Sequence, residues 1–148
     1  DKPYWPFQRN LAPSARVTAS SWMDDQPPRA AVDGIVDGLP GNRIREWASR
    51  GEKAGAWIQL DWARPVNLSR VLLFDRPNQA DHVVAGRLVF DNGDTLPVDE
   101  LPADGRQPGI VDFPERRSRS LRFEITEVSP TTGWVGLSEL AAYSASRS

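Results

Sequence analysis

The sequence has no cysteine and a single histidine. The first absence removes disulfide frameworks, thiol nucleophiles and thiolate metal sites. The second removes sites built on paired histidines, such as HExxH zinc centres. Lysine is scarce as well: two lysines stand against sixteen arginines. The guanidinium, the better donor for forked hydrogen bonding, is therefore the main cation. No apolar run approaches the roughly 18 residues of a membrane-spanning helix. The first residues do not read as a signal peptide, so export would require a leader already removed or a longer parent chain. A formal net charge of −2 lacks the basic excess of a nucleic-acid-binding face. Catalytic signatures are missing too: there is no GxSxG elbow, phosphate loop or dinucleotide fingerprint. Carboxylates are numerous, but their spacing selects no glycosidase-like pair.

What is present is one domain's worth of chain, 148 residues, with 13 prolines and six tryptophans. Prolines at 13, 27, 28, 40, 65, 77, 97, 102, 108, 114 and 130 leave no room for a long helix. Between them run short segments of period two. Ala56, Ile58, Leu60 and Trp62 share one face of Ala56–Trp62, and Leu121, Phe123 and Ile125 share one face of Ser120–Thr126. Both read as half-buried strands. Further strands are expected at Ala15–Ala19, Val66–Phe74, Val83–Phe90, Thr95–Val98, Gly109–Phe113 and Val135–Tyr143. Asp91-Asn92-Gly93-Asp94 predicts a hairpin with a type I′ turn. About eight strands with turn signals between them indicate an all-β sandwich or jelly roll. Residues 1–9 read as an arm, 10–143 as the domain and 144–148 as a tail.

Two segments concentrate polar chemistry. Ala30–Trp47 holds Asp33, Asp37 and Glu46 among turn-forming residues. Carboxylates with loop carbonyls suit a hard cation such as Ca²⁺, and equally suit turns capped by aspartate. Phe74–His82 packs Asp75, Arg76, Asn78, Asp81 and His82 together. That set could hydrogen-bond a polyhydroxylated ligand or close a polar turn on itself. Trp47, Trp57 and Trp62 are expected in the core. Trp22 and Trp134 fall in turn-like surroundings, where an exposed ring offers a stacking platform. Trp5, in the arm, has no assignment. The run Arg116–Arg122 reads as a solvated strand face, and Asn67-Leu68-Ser69 fits the weak N-glycosylation pattern.

The order NLAPSARVTASS, AVDG…REWAS, GAWIQLDW, VLLFDRPN…DH, DNGD, RFEIT and VGLSELAAY resembles the discoidin-like superfamily, which includes coagulation factor V/VIII type C domains and family 32 carbohydrate-binding modules. The likeness spans about Asn10 to Tyr143 and leans towards a bacterial and fungal subgroup with a DRPN loop. It implies a galactose-binding-domain-like jelly roll. It also implies a structural Ca²⁺ held by Asp33, Glu139 and the carbonyls of Ala30 and Ser138. The family's asparagine and threonine ligands are missing here, and Asp37 is the expected substitute.

The resemblance further implies a ligand end built from Trp22–Asp25, Asp75–His82 and Thr131–Trp134. The expected function is a non-catalytic carbohydrate-binding module of a secreted bacterial protein, tethered to other domains. Trp134 or Trp22 would stack on a sugar ring, and Asp75, Arg76, Asn78, Asp81 and His82 would bond its hydroxyls. Trp134→Ala and Arg76→Ala are expected to abolish binding with the fold intact. The alternatives are a membrane- or protein-adhesion module using Trp22 and Met23, and a carboxylate-based glycoside hydrolase.

Overall fold

A computed structural model describes residues 9–33, 46–76, 80–104 and 106–144. Among these are seven strands: β1 (Arg16–Ala19), β2 (Trp47–Ala48), β3 (Trp57–Asp75), β4 (Val83–Phe90), β5 (Thr95–Val98), β6 (Gly109–Val128) and β7 (Gly136–Tyr143). The helical content described is two 3-10 turns, Ala12–Ser14 and Pro28–Val32. All strand pairs are antiparallel, in the order β2-β7-β3-β6-β4-β5, with β1 on β3. The long strands β3 and β6 turn this single hydrogen-bonded sheet into a sandwich. The first part of β3 lies between β1 and β6, and its last part between β6 and β7. Each long strand thus serves both layers.

That continuity explains the strand count. Ala56–Trp62 and Val66–Phe74 fuse into β3, and Gly109–Phe113 and Ser120–Thr126 fuse into β6. Pro65 and Pro114 do not end these strands. They sit at register shifts in the β3–β6 pairing, between Asp61 and Val66 and opposite the step from Leu68 to Arg70. Proline lacks an N–H and is tolerated where the ladder is already interrupted. β2, only two residues long, has no alternation to betray it.

Both segments with clean alternation bury the faces expected of them. Ile58, Leu60, Leu121, Phe123 and Leu88 meet Val71, Leu73, Leu137 and Leu140, closed off by Trp47 and Trp62. The two buried indoles keep their N–H groups satisfied, Trp47 on the Ser21 carbonyl at 2.8 Å and Trp62 on that of Leu11 at 2.9 Å. Trp57 corrects the core expectation. It points to the outer face, where the Arg122 guanidinium lies 3.9 Å above its ring, a cation–π contact. The Asp91–Asp94 hairpin forms, but not as type I′. Only Gly93 has positive φ (+89°), with Gly93 N–H bonded to Phe90 O and Phe90 N–H to Asp94 O. This is a type I turn with a glycine bulge.

Gly136 fixes how closely β2 approaches β7. A Cβ there would fall 1.9 Å from the Trp47 carbonyl oxygen, so any side chain must push the strands apart. Gly136→Ala is expected to cost about 1–3 kcal/mol, as overpacked sites do. Thermal or urea denaturation would show it, and an unchanged midpoint would contradict the packing described.

Candidate functional site

The last residues of β3 carry a polar cluster out of an apolar strand. Asp75 and Arg76 are 1% and 7% exposed, and Asp81 is 9% exposed. The Arg76 guanidinium donates from Nε to Glu46 Oε1 at 2.8 Å. From Nη1 it donates to Asp81 Oδ2 at 3.0 Å and to the Trp134 carbonyl at 2.6 Å. Nη2 has no partner among the described residues. Asp81 Oδ1 accepts the amides of Gly133 (2.8 Å) and Trp134 (3.2 Å). Glu46, fully buried, also accepts from Gln26 Nε2 at 3.0 Å. One guanidinium therefore ties together the end of β3, Asp81, the entry to β2 and the turn that carries Trp134.

Asp75 anchors the other side. Its Oδ1 accepts the Arg76 amide at 2.8 Å, and its Oδ2 accepts the Val83 amide at 3.0 Å and meets His82 Nδ1 at 2.7 Å. Burial pushes its pKa up to about 6, outweighing the amides of Val83 and Arg76 and the His82 contact. A raised carboxyl pKa is the usual mark of an acid catalyst. Here, however, both oxygens are occupied within the chain and the group is shut from solvent. Burial alone would lower the His82 pKa, but hydrogen bonds to Glu100 (2.8 Å) and Asp75, with their charges, raise it above the ordinary value.

The two loop tryptophans are the large apolar side chains left open here. Trp22 is 44% and Trp134 50% exposed. Their loops meet at β2. The Met23 amide donates to the Ala48 carbonyl at 2.9 Å, and Ala48 pairs with Gly136, two residues after Trp134. Glu52 braces the Trp22 loop by accepting the hydroxyls of Ser20 (2.6 Å) and Ser21 (2.5 Å). The Trp134 turn is held by Thr132, whose hydroxyl accepts the His82 amide at 3.0 Å.

The structure thus gathers Asp75, Arg76, Asp81, His82 and the Trp134 turn at one end, with the Trp22 loop joined to it through Ala48. Asn78 and Asp37 lie outside the described residues, as does Trp5. Arg76 changes one expectation. A buried cation facing two buried carboxylates cannot be removed at no cost to the fold. Gln26, Glu52 and Glu100 belong to the site and had no local signal; Glu46 stood out only as a carboxylate of the acidic segment, and Thr132 only as part of the Thr131–Trp134 loop. Glu46 meets Arg76 across 30 positions, so only the fold reveals the pair.

The described residues implied for Ca²⁺, Ala30, Asp33, Ser138 and Glu139, lie on adjoining elements, because the Pro28–Val32 turn packs against β7. Asp33 caps that turn and is exposed, whereas Ser138 and Glu139 are buried, at 1% and 2%. The β3–β7 register shifts where Ser138 faces the step from Phe74 to Asp75. Among the described residues, no group of three or more acidic or histidine side chains is arranged to hold a metal ion. They bring two carboxylates and two carbonyl positions, short of the six to eight oxygens of a full Ca²⁺ shell.

The all-β antiparallel sandwich with its loop-borne polar end is a fold that solved structures share. A Streptococcus pneumoniae fucose binding module superposes with a TM-score of 0.76 at 17% identity, covering 93% of this chain and 99% of that one. The family 32 carbohydrate-binding module of C. perfringens NanJ, in complex with galactose, gives 0.71 at 14%, covering 92% and 98%. Chitosan-binding module 1 of a Paenibacillus sp. IK-5 chitosanase/glucanase gives 0.68 at 22%, again covering 92% and 98%. No curated protein matches the sequence. The chain belongs to the family described as domain of unknown function DUF7402, whose profile matches residues 10–143.

Proposed function

We propose that this chain is a non-catalytic carbohydrate-binding module that brings a parent protein to a poly- or oligosaccharide. The observation that carries this reading is the pair of open indoles, Trp22 and Trp134, on loops joined through Ala48 beside a buried arginine–carboxylate network. An indole presents a flat apolar face to the C–H side of a sugar ring. Arg76 Nη2 donates to a hydroxyl at the rim, with Asn78 contributing from the same loop. Asp75 and Asp81 act from behind, holding the loops in shape. His82 lines the same end. The sugar- and polysaccharide-binding neighbours support the assignment. The carboxylates of this end are engaged within the chain, which favours binding over hydrolysis.

A shallow loop surface of this kind binds weakly. Tethering to other domains of a secreted bacterial protein raises the effective concentration at the polymer. A glycan array tests class and ligand together: retention of the wild type on a defined glycan set is expected, and no retention on any glycan would sink the reading.

A Ca²⁺ ion belongs to the same proposal, held by Asp33, Asp37 and Glu139 with the carbonyls of Ala30 and Ser138. Its role is structural, pinning the Pro28–Val32 turn to β7. A ligand that binds only the native state raises the melting temperature. Calcium should therefore raise the Tm and EDTA should lower it. A Tm indifferent to both, with no calcium by elemental analysis, would remove the ion.

A further inference from the structure

His82 stands immediately before β4 with both ring nitrogens against carboxylates, Nδ1 2.7 Å from Asp75 and Nε2 2.8 Å from Glu100. A neutral imidazole has one N–H and one lone pair, so it can donate to only one of them. Two ionised carboxylates at these distances are satisfied only by the imidazolium. The two partners differ in what else they can do. The Asp75 side chain is 2% exposed and the Glu100 side chain 63%. When the ring loses a proton, the remaining one stays on Nδ1, because Asp75 has no water to turn to. Nε2 then sets a lone pair against Glu100, which is free to swing into solvent.

The backbone of His82 adds the second half of the argument. Its amide donates to Thr132 Oγ1 at 3.0 Å, and its carbonyl accepts the Ser129 amide at 3.0 Å. The turn leading to Trp134 therefore rests on the residue whose ring holds Glu100. Among the described residues, few charged groups face His82. β3 presents Asp75, and the segment after β5 presents Glu100. Arg76 and Asp81 turn their charges on each other. The 129–132 turn offers His82 hydroxyls and a backbone amide but no charge, and β7 sets Leu137 opposite Asp75.

We propose that His82 is a positioning residue, a proton-dependent clasp that holds the Glu100 segment to the Trp134 end when charged and releases it when neutral. Its coupling to ligand rests on the sugar-binding reading: glycan affinity falls as pH rises through the histidine titration. The sign follows from the raised His82 pKa. The clasp is intact below the ordinary imidazole value and is lost as pH rises through the higher folded value. At the acid end Asp75 takes up its proton below about 6, which weakens the Asp75 half and leaves the Glu100 half in place.

Because His82 is the only histidine, its ring signals can be followed by NMR in the intact chain without assignment. The wild-type midpoint should lie above the ordinary value of about 6.5. In Glu100→Gln the amide can donate to a neutral Nε2, so the clasp no longer needs the proton and the midpoint should fall. A wild-type midpoint at or below the ordinary value, or one that Glu100→Gln leaves unmoved, overturns the clasp. With a glycan found on the array, wild-type affinity should drop several-fold from about pH 6 to about pH 8.5, the range in which histidine changes charge, while Glu100→Gln stays flat. A flat wild-type profile overturns the coupling. No binding to any glycan, with the titration as expected, overturns the sugar-binding reading and the coupling with it, and leaves the clasp standing.

Discussion

Arg76→Ala is expected to destabilise the domain by about 3–5 kcal/mol, the range for breaking a buried ion pair from one side. The guanidinium is 7% exposed and faces Glu46, at 0%, and Asp81, at 9%. Without it, two carboxylates remain out of water and each loses an ion pair to a buried guanidinium. The Gln26 amide at Glu46 and the backbone amides of Gly133 and Trp134 at Asp81 are neutral donors and do not replace that charge. A loss of that size is a large fraction of a typical domain's total stability. Denaturant unfolding followed by circular dichroism measures it directly. A midpoint equal to that of the wild type would show that the network does not hold the fold. Lost sugar binding in this variant would say little about ligand contact, because the Trp134 turn loses its support at the same time.

Trp134→Ala is the opposite case. Its ring is half exposed, while the groups that bond to Asp81 and Arg76 are its backbone N–H and C=O. Alanine keeps both, so stability should change by no more than about 0.5 kcal/mol, as at ordinary surface sites. Binding should fall by about 2 kcal/mol or more, the scale of an aromatic anchor at an interface, which is roughly thirtyfold. Calorimetry with a glycan taken from the array reads the loss, and a melting curve controls for the fold. Unchanged affinity in Trp134→Ala would move the site elsewhere on the surface.

The contrast between these two residues shows how far the sequence could be read. Both stand out as candidates in the linear chain, one as a forked donor in a polar run and one as a ring in a turn. Nothing local separates a contact from a support. The distinction depends on Glu46, 30 positions before Arg76, and on Asp81 reaching Gly133, 52 positions away. The same limit hid β2, which is a strand only because Gly136 lets β7 come close. It also hid the two fusions, since Pro65 and Pro114 read as stops until a register shift accommodates them.

The sequence by itself determined the fold class and the faces of the strands, because side chains alternate with a period of two and apolar burial follows that alternation whatever the topology. It also marked the loops where Trp22 and Trp134 stay open. Only the tertiary structure decided that the polar run after β3 is mostly internal framework. Burying a charge demands a partner, and those partners came from segments distant in the chain. The scarcity of histidine gains meaning in the same way: the single imidazole lies between a buried carboxylate and an exposed one, an arrangement that composition cannot show.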